Sequence, residues 1–305
     1  MPIASTIFMI RPASFGFNPE TAFNNYFQSQ SSLRQEQIQQ AALAEFDLMI
    51  EILKEQQINV CVIDDTPEPV KPDAIFPNNW FSTSPDGTVF VYPMFAPNRR
   101  SEKRDDILQW LREIFLVNDL QDWSEYEPEG RFLEGTGSMI MDHNNKLIYA
   151  AVSERTNISV LEKFAATNDY QAIIFIATDK NGYPVYHTNV VMTLGDEFAI
   201  LCEEAIEEEW ELIAVRQLLE STGHAIIPIT RDQMHCYAGN MLQVKNSKDE
   251  KILLLSQSAF DSLRKEQKQM LEAYSSLLPI AVPTIEEVEG GSVRCMMAEI
   301  FLSKK

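Results

Sequence analysis

Apolar positions along this chain follow two periods. Ser5 to Ile10 is a short apolar run cut by Arg11-Pro12, which predicts a strand. Ile38, Ala42, Phe46, Met49 and Leu53 recur every three or four residues, so one face of a helix over about Leu33–Gln56 is apolar. Between them, Phe15 to Gln28 is rich in aromatics and Asn and has no period, as in an ordered loop. Asn59 to Ile63 predicts a buried strand.

A unit then recurs. Trp80–Thr83 and Thr88–Pro93 flank Ser84-Pro85-Asp86-Gly87, a hairpin signal, with a helix at about Asp105–Phe115. Ser138–Asp142 and Leu147–Val152 flank His143-Asn144-Asn145, followed by a helix (Ile158–Thr167) and a strand (Ala172–Ala177). Asn189–Leu194 and Phe198–Glu203 flank Gly195-Asp196, before a helix (Glu207–Ser221) and a strand (Ala225–Ile229). Asn240–Lys245 and Ile252–Gln257 come next, with a helix capped by Ser258 and Asp261 and a last strand, Leu278–Val282. The spacing is roughly 50–60 residues and gives about five modules. Units that each bury one face pack radially around a centre. No Pro/Gly/Ser-rich linker interrupts residues 1–305, so the chain is read as a single domain.

Composition narrows the partners. Of 305 residues, 45 are acidic and 25 basic, a formal net charge of -20 that repels nucleic acid and anionic membrane. The acids Glu203 to Glu211 read as a solvated helix face. No apolar stretch is long enough to span a bilayer and no basic leader precedes an apolar core, which points to a cytoplasmic protein. The 4 cysteines are far apart, with neither a disulfide framework nor zinc-ligand spacing, and no histidine pair is spaced for a metal. No phosphate-cradling glycine loop is present. No cofactor or metal is expected, the partner is a small molecule, and self-association stays open.

The candidate chemistry lies at the starts of modules. Gly290-Gly291-Ser292-Val293-Arg294-Cys295-Met296 places a thiol at the exit of a sharp turn. Gly130 to Gly137 places Glu134 between glycines before one hairpin, and Tyr186-His187-Thr188-Asn189 lies before another. His235 holds a similar position, and Asp73 to Trp80 is a polar run between proline bends. Thiol, imidazole and carboxylate at matching points of three modules are the parts of a nucleophilic site.

These blocks resemble the guanidine-modifying enzyme superfamily of arginine deiminases, amidinotransferases, dimethylarginine hydrolases and succinylarginine dihydrolases, and most closely its citrulline-utilisation hydrolase group. The likeness runs through Ile10-Arg11-Pro12, Phe15 to Asn18, Asp73 to Trp80, Phe132 to Gly135, His187 to Asn189, Ala238 to Leu242 and Gly290 to Met296, in family order. It implies a five-bladed α/β propeller (a pentein) of pseudo-fivefold ββαβ modules. It further implies Cys295 as nucleophile, His187 as general acid/base and Glu134 as the acid that orients and binds substrate nitrogens. Asp73, Asn79, Asn189 and Arg131 are candidate substrate contacts.

Asn79 and Asn189 stand where many members carry acids. An amide suits a neutral ureido group, whereas a guanidinium is all donor and suits carboxylates. The expected reaction is therefore hydrolysis of a ureido or guanidino C–N bond, first of all citrulline to ornithine, carbon dioxide and ammonia. Alternatives are an amidinotransferase, an arginine deiminase or dihydrolase, and a non-catalytic propeller binding protein. A thiolate beside an imidazolium would also make Cys295 the quickest of the cysteines to alkylate.

Overall fold

The computed structural model describes residues 2–305. It contains five three-stranded sheets. One is built from β1 (Thr6–Arg11) and β2 (Asn59–Asp64), joined by the helix Gln35–Glu55. The others are β3 (Phe81–Thr83) to β5 (Asp119–Asp122), β6 (Ile140–Asp142) to β8 (Gln171–Phe175), β9 (Met192–Leu194) to β11 (Ala225–Pro228), and β12 (Leu242–Lys245) to β14 (Ser276–Ile280).

Every middle strand pairs antiparallel with its hairpin partner and parallel with the strand beyond the helix. The last strand, β15 (Ala298–Glu299), lies antiparallel to β1, with Phe8 opposite Ala298. The end of the chain thus completes the first sheet, and both ends are held by backbone hydrogen bonds.

The five predicted positions of the long helix are all buried. That helix shields the sheet of β1 and β2 and packs on the helix Pro283–Glu289. Sequence reading misses β5. Its residues Asp-Leu-Gln-Asp are exposed or half-buried, and pairing to β4 rather than local propensity makes them a strand. Ser138 and Asn189 to Val191 were expected in strands but lie in helical turns. Ser256, not Ser258, caps the helix Gln257–Ser262 by accepting the Ala259 N–H. Glu211 is not on a solvated face: it is buried and accepts the Ile176 N–H at 2.7 Å.

Residues of β3, β6, β9, β12 and β15 line one shared central cavity. The first strands of all five sheets therefore converge, and so do the turns that precede them. No helix among the described residues is long and apolar enough to cross a membrane.

Candidate active site

Single helical turns stand directly before four of the first strands: Pro77–Asn79, Gly135–Ser138, Thr188–Val191 and Val293–Met296. Asn79 and Cys295 lie in two of these turns, and Glu134 and His187 are the N-cap residues of the other two. Gly137 lets three of the turns meet. A Cβ there would stand 2.5 Å from Asn79 Nδ2 and 2.8 Å from two atoms of the His187 ring. Gly290, at φ 63°, turns the chain out of the helix Pro283–Glu289 toward Cys295, and a side chain on it would strike the backbone of Phe27 and Gln28.

A small pocket brings together Asp73, Asn79, Arg99, His187, Glu289 and Cys295, with Arg155 and Tyr186 on its wall. The loop over Phe15–Gln28 is ordered, as expected, and contributes Thr21 and Asn25 to the lining. Asn18 in the same loop donates to Asp73 Oδ2 at 2.9 Å. Glu134 Oε2 receives His187 Nε2 at 2.8 Å. Arg155 Nη1 stands 3.7 Å from that oxygen and Arg99 Nη1 4.0 Å. Arg99 forks onto both oxygens of Glu102 at 2.8 and 2.9 Å, donates to Asn79 Oδ1 at 3.0 Å, and lies 3.3 Å from Asp73. At the thiol, Asn240 Nδ2 approaches Sγ to 3.3 Å and Asn189 Nδ2 to 3.7 Å.

Burial sets the charge states. It pushes His187 down to about 4, outweighing its bond to Glu134, so the imidazole is neutral near pH 7. Burial acts on Glu134 in the opposite sense, but Arg155, His187 and Arg99 overcome it and hold the carboxyl at about 2. An ionised Glu134 accepts, so Nε2 carries the ring proton and Nδ1 is left with a free lone pair. Burial raises the Cys295 thiol despite its Ser292, Asn240 and Arg294 neighbours. The free site thus pairs a neutral thiol with a neutral imidazole.

Several expectations change. Arg131 does not line the pocket: it is partly exposed, pairs with Glu129 and Ser159 Oγ, and stacks over Tyr126. Asn189 lines the central cavity rather than the pocket and reaches only the thiol. Asn79 has its carbonyl oxygen already occupied by Arg99, so its amide faces the site as a donor alone. His235 stacks on Phe27, 4.9 Å between ring centroids, away from the pocket. Cys295 is only 4% exposed and burial raises its thiol, against the expected thiolate, whereas Cys236 is exposed.

Sequence reading overlooked Arg99, Arg155 and Glu289. The arginines have one shared signal, a position soon after the second strand of a hairpin. Glu289 has another, standing directly before the paired glycines.

Comparison with known proteins agrees with this geometry. The sequence family described as N,N dimethylarginine dimethylhydrolase, eukaryotic, matches residues 11–302. The chain belongs to this family. As a dimethylarginine dimethylhydrolase family member it falls within the guanidine-modifying enzymes and is a hydrolase of guanidino C–N bonds.

Its fold is that of the N-terminal domain of ArgZ, an arginine dihydrolase of the cyanobacterial ornithine–ammonia cycle solved with substrate bound. The two share 15% identity over 96% of this chain and 97% of that domain, at a TM-score of 0.72. The family member spans 40% of full-length ArgZ. A dimethylarginine dimethylaminohydrolase variant in adduct with S-methyl-L-thiocitrulline aligns at TM-score 0.65 and 13% identity, over 98% of this chain and all (100%) of that one. A search of curated proteins returned no match.

Proposed function

We propose that the protein hydrolyses the guanidinium group of arginine or an N-methylated arginine through a covalent bond to Cys295, and that residues 1–305 form one catalytic propeller with the five sheets as its blades. The observation that carries the substrate choice is the trio of carboxyl groups, Asp73, Glu134 and Glu289, around the thiol–imidazole pair. A guanidinium supplies donors to acids of this kind. Citrulline, the first expectation, finds one free donor for its carbonyl in the Asn79 amide but brings no positive charge to set against the three acids. The relatives named above support the same class, since one is an arginine dihydrolase and another carries an arginine-like adduct.

In the reaction, the bound guanidinium brings positive charge beside the Cys295 thiol and favours its thiolate. Neutral His187 takes the thiol proton while Sγ bonds to the guanidino carbon. His187 then returns that proton to the departing ammonia or methylated amine as the C–N bond breaks. Glu134 holds the ring in the tautomer this needs. Water, deprotonated by His187, adds to the same carbon; the C–S bond breaks and leaves a ureido product and the free thiol. A second round on that ureido group would release ornithine, ammonia and carbon dioxide. Arg155, on the wall between the pocket and the outer cleft around Tyr26 and Tyr186, is engaged by Asn24, the Thr21 carbonyl and Glu134, and so frames the pocket without standing free for a substrate carboxylate.

The test is a substrate panel of L-arginine, N,N-dimethylarginine and L-citrulline, read as amine, citrulline and ornithine released. One of the two guanidino compounds is consumed, and Cys295→Ala stops it. Turnover of citrulline with neither guanidino compound consumed would overturn the choice.

A further inference from the structure

Two carboxyl groups share the pocket. Asp73 and Glu289 are 2% and 3% exposed, and both line the wall beside Cys295. Asp73 Oδ1 and Glu289 Oε1 receive no N–H or O–H donor from the rest of the protein. Their other oxygens are held, Asp73 Oδ2 by Asn18 at 2.9 Å and Glu289 Oε2 by Gln28 at 2.8 Å. Asn25 fixes the Glu289 backbone by donating to its carbonyl oxygen at 2.9 Å. Both carboxyl groups thus keep one unpartnered oxygen in the same small pocket, where burial and the Asp73 charge oppose ionising both at once.

We propose that Asp73 and Glu289 share one proton in the free enzyme and bind the positively charged group of the substrate by releasing it. The step balances: one proton leaves to solvent, one cationic group of the substrate takes its place, and the pair changes from one negative charge to two. The charged and titratable groups around it are consistent with this. Arg99 is the cation acting on both carboxyls, but it is already forked onto Glu102 and lies near Glu134, so it does not neutralise a second negative charge. The other facing groups are Arg155, taken up by Asn24 and Glu134, the neutral His187 and Cys295, and Tyr186. Burial, then the Asp73 charge, place the proton on Glu289 by raising its pKa well above the carboxylate range. The proposal rests on the guanidino-substrate reading, and its effect is that binding, apart from catalysis, depends on pH.

The experiment uses Cys295→Ala, which binds without turnover, with and without Glu289→Gln, and L-arginine as probe. Calorimetry in buffers of different ionisation enthalpy counts protons released on binding. The single variant is expected to release close to one, with affinity rising up to about tenfold per pH unit, the limit for one proton. Glu289→Gln should release none, flatten that slope and lose affinity chiefly at high pH, where a purely structural defect would lower affinity equally at every pH. Binding with no proton released by the single variant would overturn the proposal and leave the substrate class standing. Failure of L-arginine and its dimethylated form to bind would sink the substrate class instead. The shared proton is then decided on the free protein, by an infrared carbonyl band of a protonated carboxyl at pH 8 that vanishes in Glu289→Gln; absence of that band overturns the pair.

Discussion

Two cavities border the Cys295 turn, and they differ in one respect that separates structure from function. In the central cavity, formed by the first strands, the polar groups are already satisfied. Thr193 donates to Gly239 O at 2.7 Å and accepts from the Met241 N–H at 3.0 Å, and Arg294 bonds Met297 O and Glu299 at 2.8 and 3.0 Å. Among the described residues, no buried side-chain nitrogen or oxygen lining this cavity lacks a partner. The smaller pocket has three that do, Asp73 Oδ1, Asn79 Nδ2 and Glu289 Oε1. Unpartnered buried polar atoms are costly, so a site that keeps them is one a ligand completes. The larger cavity is the seam of the fold, and the smaller one is where the proposed chemistry would take place.

Breaking that contrast should have graded effects. Cys295→Ala in the pocket should reduce turnover to background while leaving thermal unfolding within about 1 kcal/mol of the parent, because it removes only one buried heavy atom. Activity assays alongside denaturant curves check both halves. Glu134→Ala removes the acceptor that fixes the His187 tautomer, and kcat should fall by roughly 10²–10⁴. Recovery of full activity in this variant would show that the ring needs no such partner.

Arg99→Ala attacks the same pocket through its frame. It strands Glu102, Asp73 and Glu134, whose buried charges Arg99 faces, and should destabilise the fold by about 3–5 kcal/mol. Urea unfolding measures this, and a loss below 1 kcal/mol would mean the acids simply protonate.

Asn79→Asp keeps the acceptor for Arg99 and puts a charge where the free amide now stands beside His187. A nearby anion favours imidazolium, so the acid limb of kcat/KM, set by a group now at about 4, should move up by about 1–3 pH units. An unmoved limb would assign it to another group. The smallest effect belongs to the central cavity. Thr193→Val should cost about 1 kcal/mol of stability for its lost hydrogen bonds and change kcat/KM less than twofold, about 0.4 kcal/mol. A large rate loss there would erase the distinction between the two cavities.

Much of this arrangement was legible in the chain. Apolar spacing gave the long helix with its five buried positions, and hairpin signals gave the paired strands of four sheets. Cys295, His187 and Glu134 stood out because each precedes the first strand of a module, the place where the turns converge. Local periodicity reports which face of an element is buried, so it suffices for such features.

It does not suffice for β5, whose polar residues become a strand only beside β4. Nor does it reveal which side of the thiol Asn189 reaches, or that Arg99 already occupies the Asn79 carbonyl. Charge state is the furthest from the sequence. His187 is neutral and Cys295 protonated because both are desolvated, and Glu289 comes into one pocket with Asp73 while held by Gln28 from 261 residues away. Burial and long-range pairing exist only once the sheets have closed, and they, rather than residue identity, decide which acids in this pocket are free to meet a cation.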